Sequence, residues 1–175
     1  WKKNPDRLPA FMTKRMNIPE GVSELKVTDW ENIIATKKEL PDLSGWSCTC
    51  GIDYSKISDF ASVNLHFRNG DQRYDISHSW LCLKSKDIPR MKCPWRDWAE
   101  QGLLTLVDDV EIHPAYLADY IAEKKKEFNI EKLALDDFRY ALLSDALRKI
   151  GFDAKTYKNV KLVRPSDIMR VRSEE

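Results

Sequence analysis

The sequence predicts an α/β domain on a mixed sheet, with three antiparallel strands first and parallel strands with helices after them. Two patterns carry this reading. From Phe60 to Arg68 the residues alternate: Ala61, Val63, Leu65 and Phe67 on one face, Ser62, Asn64, His66 and Arg68 on the other. Such alternation marks a strand with one face buried, and Asn69-Gly70 after it is a strong hairpin signal. From Glu131 to Tyr157 a strand, a helical stretch ending at Gly151 and a second strand-like stretch make a β-α-β crossover. That unit requires parallel strands and right-handed winding.

Residues 1 to 44 differ from the rest. Prolines at 5, 9, 19 and 41 interrupt them, and one short helix is expected from Val27 to Lys37, with Thr28 as N-cap and Trp30, Ile33 and Ile34 as its apolar stripe. This segment reads as an arm on the core or a connector to an upstream domain; residues 45–175 read as the main domain. The first strand ends Cys48-Thr-Cys-Gly-Ile-Asp53, the second is Phe60–Arg68, and the third runs from Gln72 to Cys82. A helix from Trp95 to Gln101 stops at Gly102, and Leu103–Val107 is a short strand. His113-Pro114 opens a helix whose stripe is Leu117, Tyr120, Ile121 and Phe128. The strand Glu131–Asp136 follows, then a helix Phe138–Ile150 with Phe138, Ala141, Leu142, Ala146 and Leu147 inward, and a last strand Phe152–Tyr157. This is the plan of a ribonuclease H-like fold, in which the first strand lies beside the strand that opens the parallel half.

That plan brings Asp53 and Asp136 together, because each closes its strand at the same sheet edge. Alone, Asp53 is a turn residue and Asp136 a helix cap; their joint placement is what points to chemistry. Two carboxylates with no Lys or Arg between them repel unless a cation sits there, and hard divalent cations prefer oxygen ligands. A Mg²⁺ or Mn²⁺ site acting on phosphate is the leading idea. Asp59 returns toward the same edge and is read equally as a strand-start residue and as a supporting metal ligand; Asp137 is read as the helix cap. Asp108, Asp109 and Glu111 are read as a solvated loop, and His66 and His78 as structural. Lys158, Lys161, Arg164, Arg170 and Arg172 are read as a solvated tail, with a phosphate-tracking patch as the alternative.

Bulk properties set limits. The chain has 175 residues, 42% hydrophobic and 33% charged, in the range of a folded globular domain. A net charge of +1 confines any DNA surface to a local patch. No apolar run approaches the roughly 20 residues of a membrane helix. Four cysteines without knuckle-like pairs read as free thiols in a reducing compartment rather than as a zinc site. There is no GxxxxGK[ST], GxGxxG, GxSxG or HExxH motif. The first residue is Trp1, so a piece of a longer protein is expected.

Five stretches carry a family resemblance: Phe11-Met-Thr-Lys-Arg-Met-Asn17, Cys50-Gly-Ile-Asp-Tyr-Ser-Lys-Ile-Ser-Asp-Phe60, Glu100-Gln-Gly-Leu-Leu-Thr105, Leu133-Ala-Leu-Asp-Asp-Phe-Arg139 and Val163-Arg-Pro-Ser-Asp167. Together, and in this order, they closely resemble the large terminase subunit of tailed bacteriophages. The resemblance implies the nuclease half of that subunit plus the linker, here residues 1–44, to its ATPase half. It implies a two-metal endonuclease, using Mg²⁺ or Mn²⁺, that cuts concatemeric double-stranded DNA during packaging in the host cytoplasm, with the terminase small subunit and the portal protein as partners. Asp53 and Asp136 match the family's first- and fourth-strand aspartates, and Asp59 a further acidic position. The family's third acid lies on a late helix beyond Arg-Pro-Ser-Asp, so with the chain stopping at Glu175 a C-terminal truncation is expected, and Asp167 is no obvious substitute. Two alternatives remain: a docking module of the packaging motor with a vestigial acid pair, and another ribonuclease H-like enzyme such as a resolvase or transposase.

Overall fold

The computed structural model describes residues 30–164, and the chain divides into two compact units, 1–41 and 42–175. Of the first unit the described part holds a short helix, α1 (Trp30–Ala35); Thr28, its expected cap, lies outside the described residues, as do Asp167, Arg170 and Arg172.

In the second unit β1 (Ser47–Asp53), β2 (Ala61–Asn69) and β3 (Gln72–Cys82) form the antiparallel meander. The β2–β3 pairing runs to Asn69 opposite Gln72, so the turn is Gly70-Asp71. Gly70 has φ of 59°, a left-handed value that glycine adopts without Cβ strain. A short helix α2 (Trp95–Glu100) leads to β4 (Leu104–Val107), which adds parallel to β3 at the sheet edge. After α3 (Pro114–Lys124) come β5 (Asn129–Asp136), α4 (Asp137–Lys149) and β6 (Val160–Val163). Across the sheet the order is β4-β3-β2-β1-β5-β6, with β1, β5 and β6 mutually parallel.

One face of this sheet is the core. Cys48, Cys50 and Ile52 of β1, Val63, Leu65 and Phe67 of β2, and Leu133 and Leu135 of β5 are buried against Leu117 and Ile121 of α3 and Leu143 and Leu147 of α4. Phe67 sits at its centre, its ring edge-on to Phe128 at 4.9 Å between centroids. The β1–β5 register slips by one residue between Cys48 and Thr49, and this extra residue in β5 lets both Ile130 and Leu133 turn inward although they are three apart. A second, smaller core forms on the other face, where Leu81, Trp95 and Leu104 pack under α2.

Two expectations are corrected. The last strand is Val160–Val163, not Phe152–Tyr157. Phe152 and Asp153 are buried, but in a loop: Asp153 accepts from Lys155 N–H at 3.0 Å, and its own N–H donates to Asn159 Oδ1 at 3.0 Å. Those bonds fold the segment back on itself, and Lys158 at φ 52° breaks any extended run. In α4 the buried face is Tyr140, Leu143 and Leu147, one step out of phase with the stripe expected, so Phe138 and Leu142 are exposed. The Tyr140 hydroxyl decides the phase: it donates to Asp153 Oδ1 at 3.3 Å and accepts from Ala154 N–H at 3.1 Å, tying the helix to that loop.

The four cysteines are free thiols. Burial pushes Cys48 up to about 11 and Cys50 up to about 12, so neither forms thiolate near neutrality. Alkylation of the native protein at pH 8 is therefore expected to modify Cys93, the one cysteine not buried, and to reach the other three only in denaturant. Mass spectrometry of the labelled peptides reads this directly, and rapid native labelling of Cys50 would contradict the packing described.

Candidate active site

Alternation along β1 decides where its polar residues point. With Cys48, Cys50 and Ile52 inward, Thr49, Gly51 and Asp53 lie on the opposite, open face. In β5 Leu133 and Leu135 are inward, so Ala134 and Asp136 share that open face. The pairing Ile52↔Leu135 is the last of the β1–β5 ladder, which sets Asp53 and Asp136 side by side at the next position, each closing its strand. Parallel direction is essential here, because an antiparallel pair would send the two carboxylates to opposite ends.

The two aspartates line one cleft of about 490 Å³, with Gly51, Ser62, Ala134 and Arg164 among its other walls. Its floor is made of small side chains. A Cβ added at Gly51 would approach only the Asn64 carbonyl, at 4.0 Å, so packing does not require glycine there and its missing side chain serves to keep the cleft open. Asp53 makes no side-chain hydrogen bond or ion pair among the described residues, whereas Asp136 Oδ1 accepts from Phe138 N–H at 2.9 Å and is the N-cap of α4. The cap thus falls one residue earlier than expected from the sequence. Asp137 instead meets Arg164, whose Nε lies 3.5 Å from Asp137 Oδ2. The positive end of α4 opens beside both carboxylates, a field that favours anions at this spot.

Over residues 3–163 the chain matches the family of the terminase large subunit, endonuclease domain. It belongs to that family. The fold agrees with that of the HK97 bacteriophage large terminase, at a TM-score of 0.67 and 17% identity over 97% of this chain. The match covers 36% of the HK97 terminase, so the chain spans about a third of that protein's length. No curated protein matches the chain significantly.

In this terminase endonuclease domain the third predicted acid is placed differently. Asp59 precedes β2, where its Oδ1 accepts from Phe60 N–H at 2.8 Å and its N–H donates to Ser55 Oγ at 3.2 Å. It is not among the residues lining the cleft. Among the described residues no group of three or more His, Cys, Asp or Glu side chains is arranged to hold a metal. The pair therefore offers two exposed carboxylates in an open cleft, a donor set suited to a hard cation, which takes further oxygens from water or substrate. Arg164 was missed as a cleft residue: a last strand at 152–157 leaves it far down a tail, whereas the true β6 delivers it to the edge beside Asp136.

The acidic loop and His78 have structural partners. Lys84 pairs with Asp108 at 2.6 Å and Lys56 with Glu111 at 3.2 Å, tying the acidic loop to the meander. His78 donates to or accepts from Thr105 Oγ1 at 2.8 Å and stacks on Tyr120, with burial and then Lys124 lowering its pKa.

Proposed function

We propose that this domain is a divalent-metal-dependent endodeoxyribonuclease that cuts concatemeric double-stranded viral DNA during genome packaging. One observation carries the chemistry: Asp53 and Asp136 stand at adjacent register positions on the open face of parallel strands, in one cleft. Asp53 and Asp136 would hold Mg²⁺ or Mn²⁺, two ions being expected, with Asp59 in reserve as a supporting ligand after local movement. Such ions lower the pKa of a bound water and stabilise the leaving oxygen of a phosphodiester.

The chain's own residues divide the remaining work. Asp53 contributes a carboxylate with no other bond among the described residues, and Asp136 one whose Oδ1 is already fixed by the helix cap, which orients its second oxygen. The first turn of α4 presents its positive end to the substrate phosphate. Arg164 brings a guanidinium to the rim, held by Asp137. The terminase small subunit and the portal are the proposed partners and the host-cell cytoplasm the proposed setting. The docking-module alternative has no observation of its own to favour it, and family membership favours terminase over resolvase.

Incubation of supercoiled plasmid with the purified protein tests the reading. Nicking or linearisation is expected with Mn²⁺ or Mg²⁺, across many sequences, and none after EDTA. Undiminished cutting in EDTA would refute metal dependence; absence of cutting by the intact terminase under any divalent metal would return the docking reading.

A further inference from the structure

The open face of the sheet carries its charges in order. Register places the side chains in rows across the strands. The acid row is Asp136, Asp53, Ser62 and Ser79. One step down β1 lie Lys161, Ala134, Gly51, Asn64 and Ser77; one step further are Lys132, Thr49, His66 and Asp75. The hairpin end presents Arg68 opposite Arg73. Lys132, Lys161, Arg68 and Arg73 are all exposed, and none of the four makes an ion pair among the described residues. The face's other carboxylate, Asp75, is engaged by Asn64 Nδ2 at 2.9 Å and His66 Nδ1 at 3.0 Å.

The two arginines are the decisive part. Arg73 Nη1 donates to the Gly70 carbonyl at 2.7 Å, and Arg68 Nε donates to the same oxygen at 3.4 Å. One turn carbonyl gathers two guanidiniums, with no carboxylate paired to either among the described residues. Like charges held together in this way repel, and a phosphate bridging them relieves that repulsion through charge-assisted, bidentate hydrogen bonds. Six residues separate Ser62 in the acid row from Arg68, about 20 Å along a strand at ~3.3 Å per residue. At ~3.4 Å of axis per base pair that is roughly six base pairs of duplex, so one DNA molecule can reach both ends.

We infer that the open face is the track on which the duplex lies, its axis along β1 and β2, with the scissile phosphate at the acid row and the backbone about six base pairs away gripped by Arg68 and Arg73. Lys161 and Lys132 contact the phosphates between. The placement of the cut rests on the nuclease reading above; the grip at the hairpin does not. Such a track lets a chain of net charge +1 hold a polyanion locally, through four cations without ion pairs among the described residues on the face that the acids share.

Fluorescence anisotropy of a labelled 30-base-pair duplex in EDTA, across a salt series, tests this without any cleavage. Removing two phosphate contacts in Arg68→Ala/Arg73→Ala is expected to flatten the slope of log K against log salt by about 2 and to weaken binding about tenfold or more at low salt. Arg68→Lys/Arg73→Lys, which keeps both charges, is expected to hold the wild-type slope. Lys126→Ala/Lys149→Ala, the same loss of charge on the helical layer, is expected to leave it unchanged. An unchanged slope in the arginine-to-alanine pair, or an equal drop in both alanine pairs, overturns the track. If the slope drops as expected while the wild type fails to cut with any metal, the track stands and the nuclease reading falls.

Discussion

Asp53→Asn is expected to reduce DNA cutting by the terminase carrying this domain at least about 100-fold, while leaving the fold intact. The substitution keeps the shape of the side chain and removes its charge. At 1.36 kcal/mol per tenfold, that loss corresponds to about 2.7 kcal/mol of transition-state stabilisation, a modest demand on a residue assigned to hold the metal. Asp53 has no hydrogen bond or ion pair to lose among the described residues, and relieving its repulsion with Asp136 acts, if anything, in favour of the folded state in metal-free buffer. Thermal melting supplies the second readout. A metal that binds only the native protein stabilises it by about 2.7 kcal/mol at a hundred times its dissociation constant. The wild type should therefore melt higher with Mn²⁺ than with EDTA, and Asp53→Asn should show no such rise.

Asp136 separates charge from structure in a way Asp53 cannot. Asn serves as an N-cap about as well as Asp, so Asp136→Asn should lose cutting and keep stability. Asp136→Ala should also lose about 1 kcal/mol from the missing cap. Cutting at the wild-type rate by Asp53→Asn would sink the assignment of both residues.

The largest loss of stability is expected from Phe67→Ala. Phe67 is fully buried at the centre of the sheet's inner face, edge-on to Phe128, and opposite Cys48 and Tyr74 on the neighbouring strands. Truncating a phenyl ring in a packed core costs about 3–5 kcal/mol, the transfer term plus a cavity the rigid sheet cannot close. Typical domains hold about 5–15 kcal/mol in all. Urea denaturation followed by tryptophan fluorescence should show the midpoint falling with little change in slope. A loss under about 1 kcal/mol would mean the inner face is far looser than its burial implies.

The meander was legible because one face of each strand is buried and the other wet, which fixes register through a period of two. The Asn69-Gly70 signal then placed the turn within one residue. The neighbouring placement of Asp53 and Asp136 followed from strand order alone. Helix α4 was legible as a helix but not in phase, since Phe138 and Leu142 offer as good a stripe as Tyr140 and Leu143. A tertiary bond from Tyr140 to the following loop made the choice. The last strand failed for a related reason. Phe152 to Tyr157 supplies apolar residues where a strand would want them, yet Asp153 and Asn159 satisfy that backbone locally, and the four residues of β6 are too few for periodicity to announce. Everything that depended on β6, including Arg164 at the cleft, was hidden with it.

Asp136 ends β5, and Asp137 begins α4, so the connection between them has no residues of its own. Most such joints have slack, a few residues that absorb insertions and deletions as a sequence drifts. Here a single added residue must either rotate the carboxylate off the open face or pull the helix off its cap, and a single deletion does the same in reverse. The edge that carries the two aspartates is thus a joint that tolerates substitution but not a change of length.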